Sequence, residues 1–202
     1  MSITEAILRN SGGESNNSLI NTLHINENYD DIDNRNSENT ERVELIKQSP
    51  YYFEDLIPTL VTKRNNFTVL SSNINSVHAK FQEIEAFVPE LRQHDFEFSV
   101  ICLQECYVND NSDLSLIQLD GYHCIAKSQS CSSKGGLIIY LNEKYNFHTR
   151  TSPVMSNIWE SQFIEVFNEE LQKRFIIGNI YRPPRDNINN YNLFIDEFSQ
   201  TL

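Results

Sequence analysis

The stretch "VICLQEC", residues 100–106, joins an apolar run directly to a carboxylate. Val, Ile, Cys and Leu come first, and Gln104 and Glu105 follow without a break. A nearly continuous apolar run of this length is typical of an inner strand that is covered on both faces. An ionised carboxylate next to such a strand is costly unless it is paired, hydrogen-bonded or bound to a metal. The position of Glu105 therefore points to a site at the end of this strand.

Length and charge limit the classes of protein to consider. The chain has 202 residues and a formal net charge of -12. This length suffices for one domain with a real core, with or without a tail. The acidic balance argues against broad electrostatic binding to nucleic acid, although an enzyme that grips its substrate through a local patch or metal ions is still compatible with it.

Targeting signals and cysteine pairs are not visible. The N-terminus lacks an apolar core of signal-peptide length, and no stretch is long enough to cross a membrane. We therefore expect an intracellular protein, nuclear or cytoplasmic and not secreted, without a membrane partner. The four cysteines form no CxxC pair, so reduced structural thiols are expected.

The first third of the chain differs in composition from the rest. Residues 1–49 form an acidic tail rich in Asn and Ser, which includes "NENYDDIDNRNSENTE", and this composition predicts disorder. Residues 50–66 predict a short leader helix that docks on the domain that follows, because apolar residues recur at helical spacing in "PYYFEDLIPTLV", residues 50–61.

Residues 67–202 predict one α/β domain. "VHAKFQEIEAFVPEL" is an amphipathic helix that Pro89 should bend or end, and "DNINNYNLFIDEFSQTL" is a helix with Tyr191, Phe194, Ile195 and Phe198 on one face. The predicted strands are "FTVLSSN", "FSVICLQ", "YHCIA", "LIIYL", "NFHTR", "SQFIEVF" and "RFIIGNIY". This order of elements predicts a layered sheet fold.

Three polar residues stand at strand ends, where ligands bind in open α/β sheets. Asn73 ends "FTVLSSN", Glu105 follows "FSVICLQ", and Tyr181 ends "RFIIGNIY". If these ends converge, Glu105 can stay ionised by binding Mg²⁺, which prefers one or two carboxylates with water and phosphate oxygens. Each residue also has a simpler interpretation: Asn73 as a turn residue, Glu105 as a surface residue, and Tyr181 as a packed aromatic side chain. "KGG" at 134–136 fits no nucleotide-binding motif and predicts a tight turn.

Several segments, taken in order, resemble the endonuclease/exonuclease/phosphatase superfamily. They are "FTVLSSNINSVHAKFQEIEAFV", "FSVICLQEC", "DGYHCIA", "SKGGLIIYL" and "IIGNIYRPPRDNINNY". The "NIYRPP" segment after a "GG" strand looks most like the endonuclease domain of LINE-type (non-LTR) retrotransposon polyproteins. The resemblance covers residues 67–202 and the N-terminal half of that family's domain.

The resemblance implies a partial four-layer α/β sandwich and metal-dependent phosphodiester hydrolysis. Glu105 would bind Mg²⁺ or Mn²⁺, and Asn73 would lie beside the metal and help to hold the phosphate or orient the site. Tyr181 would donate a hydrogen bond to the scissile phosphate. The implied partner is DNA, and in a full-length element a reverse transcriptase domain would follow downstream.

Two motifs of that family do not occur in this sequence. They are the "GDFN" strand and the final "SDH", which carries the catalytic base. The resemblance therefore implies a C-terminally truncated domain that is inactive alone, with no strand to pair with the free edge of "RFIIGNIY". A non-catalytic remnant or interaction module is the alternative, as is a phosphatase of the same fold, because a fold alone does not select the substrate.

Overall fold

The structure, a computed structural model, describes residues 4–10, 21–26, 53–128, 135–151, 159–169, 172–183 and 188–201. These residues form a mixed α/β fold, as the sequence predicts. The strands are β1 (Thr4–Asn10), β2 (Asn21–Asn26), β3 (Thr68–Asn73), β4 (Val100–Gln104), β5 (Tyr122–Lys127), β6 (Leu137–Asn142), β7 (Asn146–Arg150), β8 (Glu160–Asn168) and β9 (Lys173–Tyr181). The helices are α1 (Phe53–Val61), α2 (Val77–Gln93) and α3 (Ile188–Thr201), with a 3-10 helix at Leu114–Ile117.

The strands form two sheets. The five-stranded sheet has the order β2-β3-β4-β6-β5, with β2, β3 and β4 parallel and the remaining pairs antiparallel. The four-stranded sheet has the order β1-β9-β8-β7 and is antiparallel throughout. Strand β4 lies at the centre of the larger sheet, which agrees with the inner strand that its apolar sequence predicts.

Strand β4 contributes side chains to two cores on its opposite faces. Val100 and Cys102 pack with residues of β8 and β9 in a core that lies between the sheets. Ile101 and Leu103 pack on the other face with residues of α1 and α2. Because successive side chains of a strand point to opposite faces, a strand buried on both sides needs apolar residues without interruption.

A third cluster lies on the far side of the four-stranded sheet. Its members are Trp159, Phe163, Ile180 and Phe194, and Phe198 packs against them. Two predicted face residues of α3, Phe194 and Phe198, are therefore in contact with the sheet. A third, Ile195, is 39% exposed, so its predicted place on the buried face is wrong. Ile195 directly follows Phe194 and therefore lies at the edge of the buried face of α3.

Helix α2 does not end at its proline. It continues past Pro89 to Gln93, with Val88 and Leu91 buried on either side of the proline. Pro89 and Glu85 lie on the exposed face, where water can replace the hydrogen bond that proline removes. The burial of the opposite face explains why the helix persists where the sequence alone predicts a bend or an end.

Two strands lie within the segment 1–49, for which composition predicts disorder. Strand β1 pairs with β9 along the whole length of β1, from Thr4↔Tyr181 to Asn10↔Phe175, and β2 pairs with β3. Both strands gain backbone hydrogen bonds from the edge of a neighbouring strand, which composition does not reveal. The other residues of the predicted tail lie outside the described residues.

This pairing corrects the expectation that β9 has an open edge. Strand β9 lies between β1 and β8, and Phe175 and Ile177 are fully buried. The leader helix is present as α1, whose Leu60 is buried in the same core as α2. None of the helices among the described residues is both long and apolar enough to span a membrane.

Gly178 of β9 provides a test of how tightly β8 and β9 pack. A Cβ atom at Gly178 would lie 2.6 Å from Cε1 of Phe163, its cross-strand partner. We expect Gly178→Ala to lower the free energy of unfolding by about 1–3 kcal/mol, as overpacking does. Urea denaturation measures this, and in a Phe163→Leu background the same change should cost much less. An equal cost in both backgrounds would show that the aromatic ring is not the obstacle.

Candidate active site

Asn73 and Glu105 meet at the ends of two neighbouring parallel strands. Asn73 is the last residue of β3 and pairs in register with Gln104, the last residue of β4, and Glu105 follows directly. The side-chain amide of Asn73 donates a hydrogen bond from Nδ2 to Oε1 of Glu105, with an N–O distance of 2.8 Å. Asn73 is buried and Glu105 is partly buried. The carboxylate after the buried strand is thus stabilised by a neutral donor and by partial access to solvent.

The loops after β3 and β4 are fixed to each other by their backbones. The three hydrogen bonds are Ile74 N to Gln104 O (3.1 Å), Ser76 N to Glu105 O (2.7 Å) and Val77 N to Cys106 O (3.1 Å). The last of these lies at the start of α2, whose N-cap is Ser76. The position of Glu105 is therefore determined by β3, β4 and α2 together.

Backbone strain is concentrated in these two loops. Four non-glycine residues here have positive φ: Asn75 (48°), Ser76 (96°), Glu105 (52°) and Tyr107 (56°). A non-glycine residue in the left-handed region costs about 1–2 kcal/mol. Such residues persist where the surrounding structure fixes them, and they occur often at functional sites. The conformation of Glu105 is therefore imposed by its neighbours rather than by its own preference.

Gly135 and Gly136, which precede β6, support the strained loop from the other side. The carbonyl oxygen of Gly136 accepts a hydrogen bond from Cys106 N (3.0 Å), and that of Gly135 accepts one from Tyr107 N (2.9 Å). Gly136 has φ of 91°, and a Cβ atom there would lie 2.9 Å from Val108 Cγ2. Gly135 and Gly136 therefore form a contact that holds the residues after Glu105. The tight turn predicted for "KGG" includes Lys134, which lies outside the described residues.

Tyr181, the third predicted site residue, lies in the other sheet. It ends β9 and stands opposite Glu160 of β8 in the strand register. It is only 2% exposed. The structure thus brings Asn73 and Glu105 into direct contact, whereas Tyr181 lies in the other sheet opposite Glu160. A hydrogen bond from Tyr181 to a phosphate would require its hydroxyl to become accessible.

Sequence reasoning missed a polar link between the two sheets. Gln104 donates from Nε2 to Oδ1 of Asn179 on β9 (2.5 Å), and Asn179 donates from Nδ2 to the carbonyl oxygens of Leu103 and Ile138 (3.0 Å each). Both side chains are fully buried. Oε1 of Gln104 is buried without a hydrogen-bond partner among the described residues. The signal was present, because each is the single amide side chain of its strand.

Two neighbours of Glu105 keep their protons near neutral pH. Burial raises the pKa of the Cys106 thiol well above its usual range, and the carboxylates of Glu160 and Glu105 add to the effect. Burial and the charge of Glu105 also raise the pKa of Tyr107. The Tyr107 hydroxyl donates a hydrogen bond to Oδ1 of Asn75. Cys106, Cys102 and Cys124 are free thiols, as expected, whereas Cys131 lies outside the described residues.

The oxygen atoms of this site fit a weakly held divalent cation. Among the described residues, no group of three or more His, Cys, Asp or Glu side chains is placed to hold a metal. Glu105 offers one carboxylate, and its Oε2 accepts no hydrogen bond from the described residues, while Asn73 Oδ1 accepts only a 3.4 Å bond from Asn75 N. One carboxylate and an amide oxygen suit Mg²⁺, which usually keeps several waters and shares phosphate oxygens.

Comparisons with known proteins were made for the whole chain. None of the available family models matches it, and a search of curated proteins found no similar sequence. The functional interpretation therefore depends on the residues and their geometry.

The strain at Glu105 predicts an unusual order of stabilities. Glu105→Ala and Glu105→Gly both remove the carboxylate and its bond to Asn73, but only glycine adopts φ of 52° without steric cost. We expect Glu105→Gly to be more stable than Glu105→Ala by about 1 kcal/mol in urea denaturation. At an ordinary strand position glycine would be the less stable of the two. An alanine variant as stable as the glycine variant would mean that the loop relaxes out of the left-handed region.

Proposed function

We propose that this chain carries part of the site of a magnesium-dependent phosphodiesterase of the endonuclease/exonuclease/phosphatase type, with DNA as substrate. The observation that carries the proposal is the Asn73–Glu105 hydrogen bond at the carboxyl ends of β3 and β4. It places one ionisable oxygen ligand beside a neutral amide in a strained, fixed loop. The "NIYRPP" segment favours the endonuclease of LINE-type retrotransposons over a phosphatase of the same fold.

The packing of the described residues supports the four-layer sandwich as part of this proposal. One core lies between the two sheets. A second lies between the larger sheet and helices α1 and α2, and a third contains residues of the smaller sheet and of α3. This order of layers, with helices outside two central sheets, is the arrangement that the resemblance implies.

Glu105 and Asn73 would hold Mg²⁺ or Mn²⁺ in this proposal. A bound metal of this kind polarises a phosphoryl oxygen and stabilises the leaving group. Asn73 would fix one carboxylate oxygen of Glu105 by its hydrogen bond, so that the other oxygen can bind the metal. Tyr181 would contribute a neutral hydrogen-bond donor to the phosphate once its hydroxyl is accessible.

The site would act on DNA in the nucleus or cytoplasm, and a reverse transcriptase domain would accompany it in a full-length element.

The second candidate function is a non-catalytic interaction module. It is favoured by the lack of "GDFN" and "SDH" in the 202 residues, since these motifs supply further phosphate contacts and the general base in the family that the chain resembles.

Metal binding is the first test. We expect weak Mn²⁺ binding by the wild-type chain, and a loss of about tenfold or more in affinity in Glu105→Gln, because the amide replaces the carboxylate of the proposed ligand pair. Isothermal titration calorimetry measures the affinity. Glu90→Gln is the matched control, because Glu90 is exposed near the far end of α2 and its loss changes the net charge equally.

Equal Mn²⁺ affinities in the wild type and Glu105→Gln would remove Glu105 from the ligands. A loss of the same size in Glu90→Gln would mean that the acidic surface, and not the site, attracts the cation.

DNA cleavage by this chain alone is the second test. We expect no nicking of supercoiled plasmid in Mg²⁺ above that of a Glu105→Ala control, because a general base contributes about 10²–10⁴-fold in rate and the "SDH" motif is not present. Gel electrophoresis of the plasmid separates nicked from supercoiled DNA. Nicking by the wild type that is abolished in Glu105→Ala would show that the residues present suffice for catalysis.

A further inference from the structure

We propose that Glu160 is a positioning residue for Glu105, acting across the two sheets through the backbone of Gly135 and Gly136. The effect on metal affinity rests on the proposed function, whereas the structural basis of the inference is independent of any metal. Glu160 begins β8 in the four-stranded sheet, whereas Glu105 follows β4 in the five-stranded sheet.

Glu160 is a buried carboxylate with a defined backbone partner. It is 1% exposed, and its Oε2 accepts a hydrogen bond from Gly136 N at 2.6 Å. A buried carboxylate is costly unless hydrogen bonds satisfy it, and a bond from a backbone N–H to a charged oxygen is among the stronger ones. The Gly136 amide is therefore fixed to the second sheet.

The carbonyl groups of the same two glycines fix the residues that follow Glu105. Gly136 O accepts from Cys106 N, and Gly135 O accepts from Tyr107 N, at 3.0 and 2.9 Å. Glu105 and Tyr107 both have positive φ, so their conformations require external support. The path from Glu160 to Glu105 thus consists of two hydrogen bonds, the backbone of Gly136 between them, and the Glu105–Cys106 peptide bond.

The carboxylate of Glu160 also packs closely against Gly135. A Cβ atom at Gly135 would overlap with Oε1 of Glu160. Any side chain at 135 would therefore displace the carboxylate or the glycine backbone. Gly135 and Glu160 are therefore matched in shape as well as joined through the neighbouring hydrogen bond, and this match provides a paired test.

The first experiment compares Glu160→Gln, Glu160→Ala and the control Glu165→Gln, which removes a carboxylate of β8 that pairs with Arg174. Amide resonances of Cys106 and Tyr107 in ¹H–¹⁵N NMR spectra report the conformation of the loop without metal. Titration with Mn²⁺ measures the effect on metal affinity. Glu160→Gln keeps an acceptor oxygen for Gly136 N, so we expect resonances and affinity near those of the wild type. Glu160→Ala should shift both resonances and lower Mn²⁺ affinity about 10- to 100-fold, although Glu105 is intact.

The second experiment uses Gly135→Ala alone and combined with Glu160→Ala. Alone, the added Cβ displaces the carboxylate, so the two resonances should shift and Mn²⁺ affinity should fall, as in Glu160→Ala. In the double variant the carboxylate is gone, so the added methyl group should cause less than about a twofold further loss, which is the non-additivity of residues in contact.

Several outcomes would overturn the inference. Unchanged Cys106 and Tyr107 resonances in a folded Glu160→Ala variant would do so, as would full additivity in the double variant. If Glu160→Ala does not fold, Gly135→Ala decides, and unchanged resonances there would reject the role. If the wild type binds no Mn²⁺, the proposed function fails, while the resonances still establish or reject the link between Glu160 and the loop.

Discussion

The side chain of Asn179 joins the two sheets at the end where the candidate site lies. Its amide donates to carbonyl oxygens of β4 and β6, and its oxygen accepts from Gln104. Because all of these groups are buried, each lost partner would leave a desolvated polar atom, which costs about 1–3 kcal/mol. This network allows only one relative position of β9 against β4 and β6. The positions of Glu105, Glu160 and Tyr181, which lie close to it along their strands, follow from that constraint.

The strained loops around Glu105 depend on the rigidity that this network provides. Left-handed backbone at Asn75, Ser76, Glu105 and Tyr107 would relax if the surrounding strands could shift. Hydrogen bonds from the residue after β3, from the start of α2 and to the carbonyl groups of Gly135 and Gly136 hold the loops from three directions. Such support is more than a simple surface turn needs, and it is consistent with the proposal that Glu105 holds a cation.

The N-terminal strands show how edges are completed in this fold. Strand β1 covers the edge of β9 and β2 covers that of β3. An exposed apolar edge is a site of aggregation, and pairing with a polar segment of the same chain protects it. Thr4 stands opposite Tyr181 and Asn26 opposite Asn73, so both N-terminal strands also flank the candidate site.

The sequence by itself determined the α/β class, the strands β3–β9 and the pair Asn73 and Glu105, because apolar runs and strand ends are local signals. It did not reveal β1 and β2, whose polar residues gain stability only from a partner edge. It also missed Gln104, Asn179 and Glu160. Glu160 and Gly136, for example, are 24 residues apart in sequence, and only the packing of one sheet on the other brings them together. Local pattern thus identifies where a polar residue is unusual, whereas tertiary structure decides which partner makes its burial tolerable.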